Sequence, residues 1–165
     1  MEMEENTMIK VKKKFEGEYL NGQKWNGKGF NINGNIEFEI KNGQGYIKEY
    51  NKYGKLKFEG EYSNGQRSGK GKEYYYFDDQ ILLFEGEYLN GERNGKGKNY
   101  YYYGNKLLFD GEYLNGKKWN GKGYNINGIQ EYEIKNGKCN NIKEYNLYGE
   151  LKYEGEYLNG KKNGK

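Results

Sequence analysis

Over short runs, the side chains alternate in character at every second position, and each run closes on Asn-Gly. Phe15, Gly17 and Tyr19 fall on one side of such a run, Glu16, Glu18 and Leu20 on the other, and Asn21-Gly22 follows. A period of two is the mark of a strand whose faces meet different surroundings. Asn-Gly is a strong hairpin-turn signal because both residues tolerate positive φ. FEGEYLNG at Phe15 returns as FEGEYSNG at Phe58, FEGEYLNG at Phe84, FDGEYLNG at Phe109 and YEGEYLNG at Tyr153. IEFEIKNG at Ile36 and QEYEIKNG at Gln130 are weaker echoes, and the seven starts are spaced by 21, 22, 26, 25, 21 and 23 residues. A fixed period of this size predicts a repeat array.

After the turn comes a Gly-Lys-Gly return strand, as in Gly27-Lys28-Gly29. Two glycines make poor strand material unless something large lies against them, so aromatic rings of the same or the next repeat are expected to cover them. Lys28 is placed across from the Glu16/Glu18 row. Between the turn glycine and Gly-Lys-Gly, repeats one and five carry four residues (QKWN, KKWN), while repeats three and four carry three (QRS, ERN). One extra residue inside a strand would flip every later side chain, so it belongs in the hairpin loop or a bulge. That reading puts Trp25 and Trp119 at or near hairpin tips. Phe15–Gly34 also matches Phe109–Gly128 at all but three positions, an offset of 94 that becomes 95 near Cys139. The array reads as a four-hairpin unit begun twice.

These residues resemble the MORN (membrane occupation and recognition nexus) repeat: an aromatic-x-Gly-x-aromatic strand, an Asn-Gly turn, then Gly-x-Gly leading to an aromatic. FEGEYLNGERNGKGKNYYYY at Phe84–Tyr103 carries the likeness most fully. Where that family often has His before Gly-x-Gly, this chain has Asn26, Ser68, Asn94, Asn120 and Asn163. Repeats two and six put Phe38 and Tyr132 in place of the first glycine and lack Gly-Lys-Gly, so their hairpins should pack differently. The resemblance implies an all-β fold, an elongated single-layer array of antiparallel β-hairpins. It also implies a scaffold at cytoskeletal or membrane-associated sites, or an accessory array attached to an enzyme. Residues 1–14 read as a lead-in or cap, with Ile9 and Val11 alternating with lysines. Residues 15–165 read as about seven hairpins ending in mid-repeat, with a C-terminal edge open to self-association.

Composition narrows the chemistry. The 165 residues are 32% charged and only 33% hydrophobic, but 20 Tyr and 7 Phe concentrate the apolar surface in rings, which bury large areas each. The net charge of +4 is spread over interleaved Glu and Lys, which argues against nucleic acid; Lys10–Lys14 is the one basic run. With no His and one Cys, His-based triads, intrachain disulfides and common zinc sites are excluded. Ser63 and Ser68 read as turn residues, Asp78-Asp79 as a back turn, and the glutamate pairs as a solvated charge ladder. No cofactor and no enzymatic activity are expected. The N-terminus lacks a signal-peptide core and no run is long enough to span a bilayer, so a cytoplasmic location is expected, at a membrane or the cytoskeleton where a partner holds it there. The expected role is protein–protein scaffolding, with an anionic membrane surface as the alternative partner. The residues singled out for contact are Trp25 and Trp119, with Tyr74, Tyr76, Tyr100 and Tyr102 from the aromatic runs Tyr74–Phe77 and Tyr100–Tyr103, whose alternate members fall on opposite faces.

Overall fold

The computed structural model describes residues 15–31, 33–78 and 81–163. The expected cap, its lysine run and Asp79 lie outside them. The protein is an all-β, elongated single-layer array of antiparallel hairpins. The outgoing strands are β1 (Phe15–Leu20), β3 (Ile36–Ile40), β5 (Leu56–Ser63), β7 (Leu82–Leu89), β9 (Leu107–Leu114), β11 (Gln130–Ile134) and β13 (Leu151–Leu158). The return strands are β2 (Gln23–Phe30), β4 (Gly45–Tyr50), β6 (Gln66–Tyr74), β8 (Glu92–Tyr100), β10 (Lys117–Tyr124), β12 (Cys139–Tyr145) and β14 (Lys161–Asn163). Each hairpin turn has Asn and Gly both at positive φ, as at Asn90 (51°) and Gly91 (85°).

Register writes the sequence period across the central sheet, β4 to β11. One row runs Ile47, Gly60, Gly71, Gly86, Gly97, Gly111, Gly121, Ile134, each facing the next. Beside it on the opposite face runs Lys48, Glu59, Lys72, Glu85, Lys98, Asp110, Lys122, Glu133, in which charge alternates at every strand. The two rows occupy opposite faces because neighbouring residues of a strand do. We call these the ring face and the ladder face. In the N-terminal sheet Lys28 likewise stands between Glu16 and Glu39.

On the ring face, glycine makes room for aromatics. A Cβ on Gly86 would lie 2.7 Å from Phe84 Cζ and 2.6 Å from the Gly97 Cα. One on Gly97 would lie 2.6 Å from the same Phe84 carbon. Phe58, Phe84 and Phe109 therefore each lie over the glycine of their own strand and its partner, and all three are fully buried.

The register corrects the loop-length reading. In repeats one and five the first glycine of Gly-Lys-Gly faces the outgoing glycine, Gly27 to Gly17 and Gly121 to Gly111. In repeats three and four it is the second, Gly71 to Gly60 and Gly97 to Gly86. The stretch from turn to paired glycine is thus longer in repeats three and four, where Gly69 and Gly95 sit in the bulge at φ 85° and 99°. The reason lies in the next repeat. In repeats one and five the second glycine (Gly29, Gly123) takes the ring of Phe38 or Tyr132, the residues that replace glycine in repeats two and six. Trp25 and Trp119 are the bulged residues of β2 and β10, three positions past Gly22 and Gly116 and so near the hairpin turns, as expected.

Repeats two and six are also where the sheet parts. β3 pairs only with β2, and β4 only with β5; β11 pairs only with β10, and β12 only with β13. Within each of these hairpins a single bridge survives, Lys41 to Gln44 and Lys135 to Lys138. Isoleucine stands in the glycine row on both sides of each break, Ile40 and Ile47 at one, Ile134 and Ile142 at the other, all buried. These bulky aliphatics fill a corner where glycine would admit a flat ladder. Each break is a joint, held by its aliphatic pair and by the turns: Gly43 N–H donates to Trp25 O at 2.8 Å and Gly65 N–H to Gly43 O at 2.9 Å, with Gly137 and Gly160 repeating the pattern.

Candidate functional site

Three surfaces carry chemistry, and two of them are internally satisfied. On the ring face a cation two residues after each regular turn glycine lies over that repeat's first aromatic: Lys24 5.1 Å from the Phe15 centroid, Arg67 3.9 Å from Phe58, Arg93 4.0 Å from Phe84, Lys118 4.9 Å from Phe109 and Lys162 4.8 Å from Tyr153. Arg93 also donates to both carboxylate oxygens of Glu73, at 3.2 and 2.6 Å, and Tyr88 donates to Glu73 at 2.6 Å. Arg67, Tyr62 and Glu49 repeat that arrangement. Burial works against the Glu49 carboxylate, but hydrogen bonds from Arg67 and Tyr62 outweigh it and hold it down at about 2. Glu73 is likewise lowered: burial raises it, and the Arg93 hydrogen bond overcomes that. These clusters brace the sheet and hold the Glu49 and Glu73 carboxylates ionised.

The ladder face forms an open trough of about 630 Å³, floored by Gly71, Gly86, Gly97 and Gly111 and walled by the alternating Lys and Glu. Tyr74 and Tyr100 donate to the ladder-row carboxylates of Glu59 and Glu85 at 2.7 and 2.6 Å. Burial first and the carboxylate bond second push both phenols up. Glu87 is not a free wall charge: its carboxylate accepts the Lys96 N–H at 2.8 Å, capping the bulge.

The third surface is the edge opposite the hairpin turns, where the back loops lie. Four loops there contribute a continuous chain of rings. Tyr53 meets Tyr76 and Phe77 at 5.8 and 6.2 Å; Tyr75 meets Phe77 and Tyr102 at 6.0 and 4.6 Å; Tyr102 meets Tyr103 and Tyr148 at 4.7 and 5.4 Å. Phe77, Tyr103 and Tyr53 are 64, 59 and 58% exposed. The loops are tied by backbone, since Tyr102 N–H donates to Leu147 O at 2.7 Å, and by the hydroxyls of Tyr75 and Tyr148, 2.9 Å apart. In two of them an asparagine fixes the turn: the Asn51 side chain accepts the N–H groups of Tyr53 and Lys55, and Asn146 those of Tyr148 and Glu150.

The residues singled out from sequence therefore fall into three places. Tyr76 and Tyr102 belong to the loop-edge cluster. Tyr74 and Tyr100 are tied to the ladder-row carboxylates of Glu59 and Glu85. Trp25 and Trp119 lie at the turn edge, half-buried, their rings pressed on Gly43 and Gly137 of the next hairpin. Sequence reasoning missed Tyr53 and Tyr148; within the runs Tyr74–Phe77 and Tyr100–Tyr103 it left open which rings are exposed and did not single out Tyr75, Phe77 or Tyr103. A signal existed for two of them: Asn51-Lys52-Tyr53-Gly54 and Asn146-Leu147-Tyr148-Gly149 are equivalent under the 95-residue offset. It also missed the invariant cation two residues past each regular turn.

Among the described residues no group of three or more His, Cys, Asp or Glu is placed to hold a metal ion, and no helix is long and apolar enough to cross a membrane. No protein-family model matches the chain, and no curated protein matches it.

Proposed function

We propose that this chain is a non-enzymatic scaffold of the MORN-repeat type, cytoplasmic in location, that captures a protein partner on its loop-edge aromatic cluster. The observation that carries this reading is the contiguity of exposed rings drawn from four separate loops. Large exposed apolar patches mark interaction sites, and aromatics dominate the residues whose loss weakens binding most. The ring face is braced by its own cations and the ladder face by its own charge alternation; the cluster's rings face solvent. The MORN resemblance supports the same reading through the shared hairpin pattern.

The test is capture by the intact chain against a Tyr76→Ser/Phe77→Ser/Tyr103→Ser variant. A partner retained by the parent and by Trp25→Phe, and lost with the triple variant, is the expected result. An unchanged set of captured proteins contradicts the assignment. Lys52, whose ammonium lies 5.0 Å over the Tyr53 ring, favours a second reading, an anionic membrane surface. Co-sedimentation with phosphatidylserine vesicles, dependent on the same three residues, would replace the protein partner by that one.

A further inference from the structure

Asparagine before glycine is the sequence most prone to deamidation, because glycine leaves its own nitrogen unshielded beside the asparagine carboxamide. The chain has 13 such pairs. Seven are the hairpin turns, and four of those share one tripeptide: Leu20-Asn21-Gly22, Leu89-Asn90-Gly91, Leu114-Asn115-Gly116 and Leu158-Asn159-Gly160. Local sequence gives these four the same lability, so only their surroundings can rank them.

The surroundings differ at the glycine N–H, the group that must give up its proton for its nitrogen to attack. Gly91 donates it to Arg67 O, Gly116 to Arg93 O and Gly160 to Gly137 O, at 2.9, 2.9 and 3.0 Å. The turn glycines Gly43, Gly65 and Gly137 are tied to a preceding repeat in the same way. Gly22 is the exception: among the described residues its N–H has no partner, and both Asn21 and Gly22 are exposed. Pairs outside the turns are held too. The carboxamide oxygens of Asn26, Asn94 and Asn120 each accept a backbone N–H, and Gly34 and Gly128 donate to Asn31 O and Asn125 O. Gly164, of the last pair, lies outside the described residues.

We infer that Asn21 is a deamidation site of this chain, and that the hydrogen bonds from turn to preceding repeat protect the other turns. The reaction needs only water. The turn opens locally, the Gly22 nitrogen loses its proton and bonds to Asn21 Cγ, and the Cγ–Nδ2 bond breaks to release ammonia. Water then opens the cyclic imide to aspartate or isoaspartate. A turn tied to its neighbour must first break that bond; the turn at Gly22 has none to break. Isoaspartate carries the main chain through the side-chain carbon and so lengthens a two-residue turn whose type fixes the register. The strand that feels this is β1, which pairs only with β2 among the described strands and has five of its six residues exposed. Its register, Glu16 to Lys28 and Gly17 to Gly27, is what the change loosens.

The test is to age the whole chain in mildly alkaline buffer, folded and in guanidinium, and to map the peptides by mass for the amide-to-acid change. In the folded chain Asn21 should convert at least about threefold faster than Asn90, Asn115 and Asn159, the scale on which one net hydrogen bond acts. In guanidinium the four should convert at equal rates. The aged folded chain should lose hydrogen-exchange protection in Phe15–Leu20 before any other strand. A smaller margin for Asn21 in the folded chain overturns the inference. So does a preference for Asn21 that persists in guanidinium, which would come from sequence rather than fold. Conversion of Asn21 with Phe15–Leu20 still protected overturns its effect on β1.

Discussion

Repeats three and four differ from repeats two and six by a handful of residues, and the difference divides the molecule. In repeats three and four the glycine row is intact, Phe58 and Phe84 lie flat across it, and the ladder continues unbroken from β5 to β8. In repeats two and six the row carries isoleucine and the ring stands on the strand that lost its glycine. There the ladder stops after one bridge. Glycine makes sheet and isoleucine makes joints. The second joint matters because of what it brings together. The loop that follows it carries Tyr148 to Tyr102, while Tyr53, at the other end of the aromatic chain, meets Tyr76 from a neighbouring loop of the unbroken sheet. A flat ladder at about 4.8 Å per strand would leave the β6–β7 and β12–β13 loops about 29 Å apart; here the Tyr75 and Tyr148 hydroxyls meet at 2.9 Å.

The largest effect should come from emptying a joint. Phe38 is buried over Gly29, and Phe38→Ala should cost about 3–5 kcal/mol in denaturant melts. A cost under about 1 kcal/mol would deny the joint its packing. Next comes crowding the ladder. Gly86→Val drives side-chain atoms into the Gly97 backbone and the Phe84 ring at once, with an expected loss of about 3 kcal/mol, the upper end of the overpacking range.

Electrostatics on the ring face should come third. Arg93→Met strands the half-buried Glu73 carboxylate, and we expect about 2 kcal/mol, below the range for a fully buried pair. The same groups set an acid limit. The Glu49 carboxyl is depressed from 4.5 to about 2, and Glu73 is also lowered. Stability from a depressed carboxyl is fully present above the unfolded value and lost as pH falls through the folded one. The denaturant midpoint should therefore fall between pH about 4.5 and 2, and Glu49→Gln should flatten that fall. A midpoint independent of pH across this window would remove the buried pairs from the account.

The repeat, the strand alternation and the glycine–aromatic packing were legible because they depend on period two and on residue size, both local. The two degenerate repeats were legible as exceptions, since Phe38 and Tyr132 stand where glycine is expected. Their consequence was not, because a joint acts at a distance: nothing near Tyr75 in sequence announces Tyr148. Register in repeats three and four was misread for a related reason. Counting from the turn assumes that the first glycine pairs, whereas the following repeat decides which one does.

The smallest predicted effect separates capping from mere charge on the ladder face. Glu87→Gln keeps an acceptor for the Lys96 N–H and should change stability by less than about 0.5 kcal/mol. Glu87→Ala leaves the bulge uncapped and should cost about 1 kcal/mol, the net worth of one hydrogen bond.

That the second joint gathers distant loops into one aromatic surface can be measured as a distance. Spin labels at Tyr76→Cys and Leu147→Cys, in a Cys139→Ser background, report directly on the β6–β7 and β12–β13 loops. A narrow distribution below about 20 Å is the predicted result, widening when Ile134→Gly and Ile142→Gly soften the second joint. A population centred near the roughly 29 Å of a flat ladder, at 4.8 Å per strand, would contradict the account.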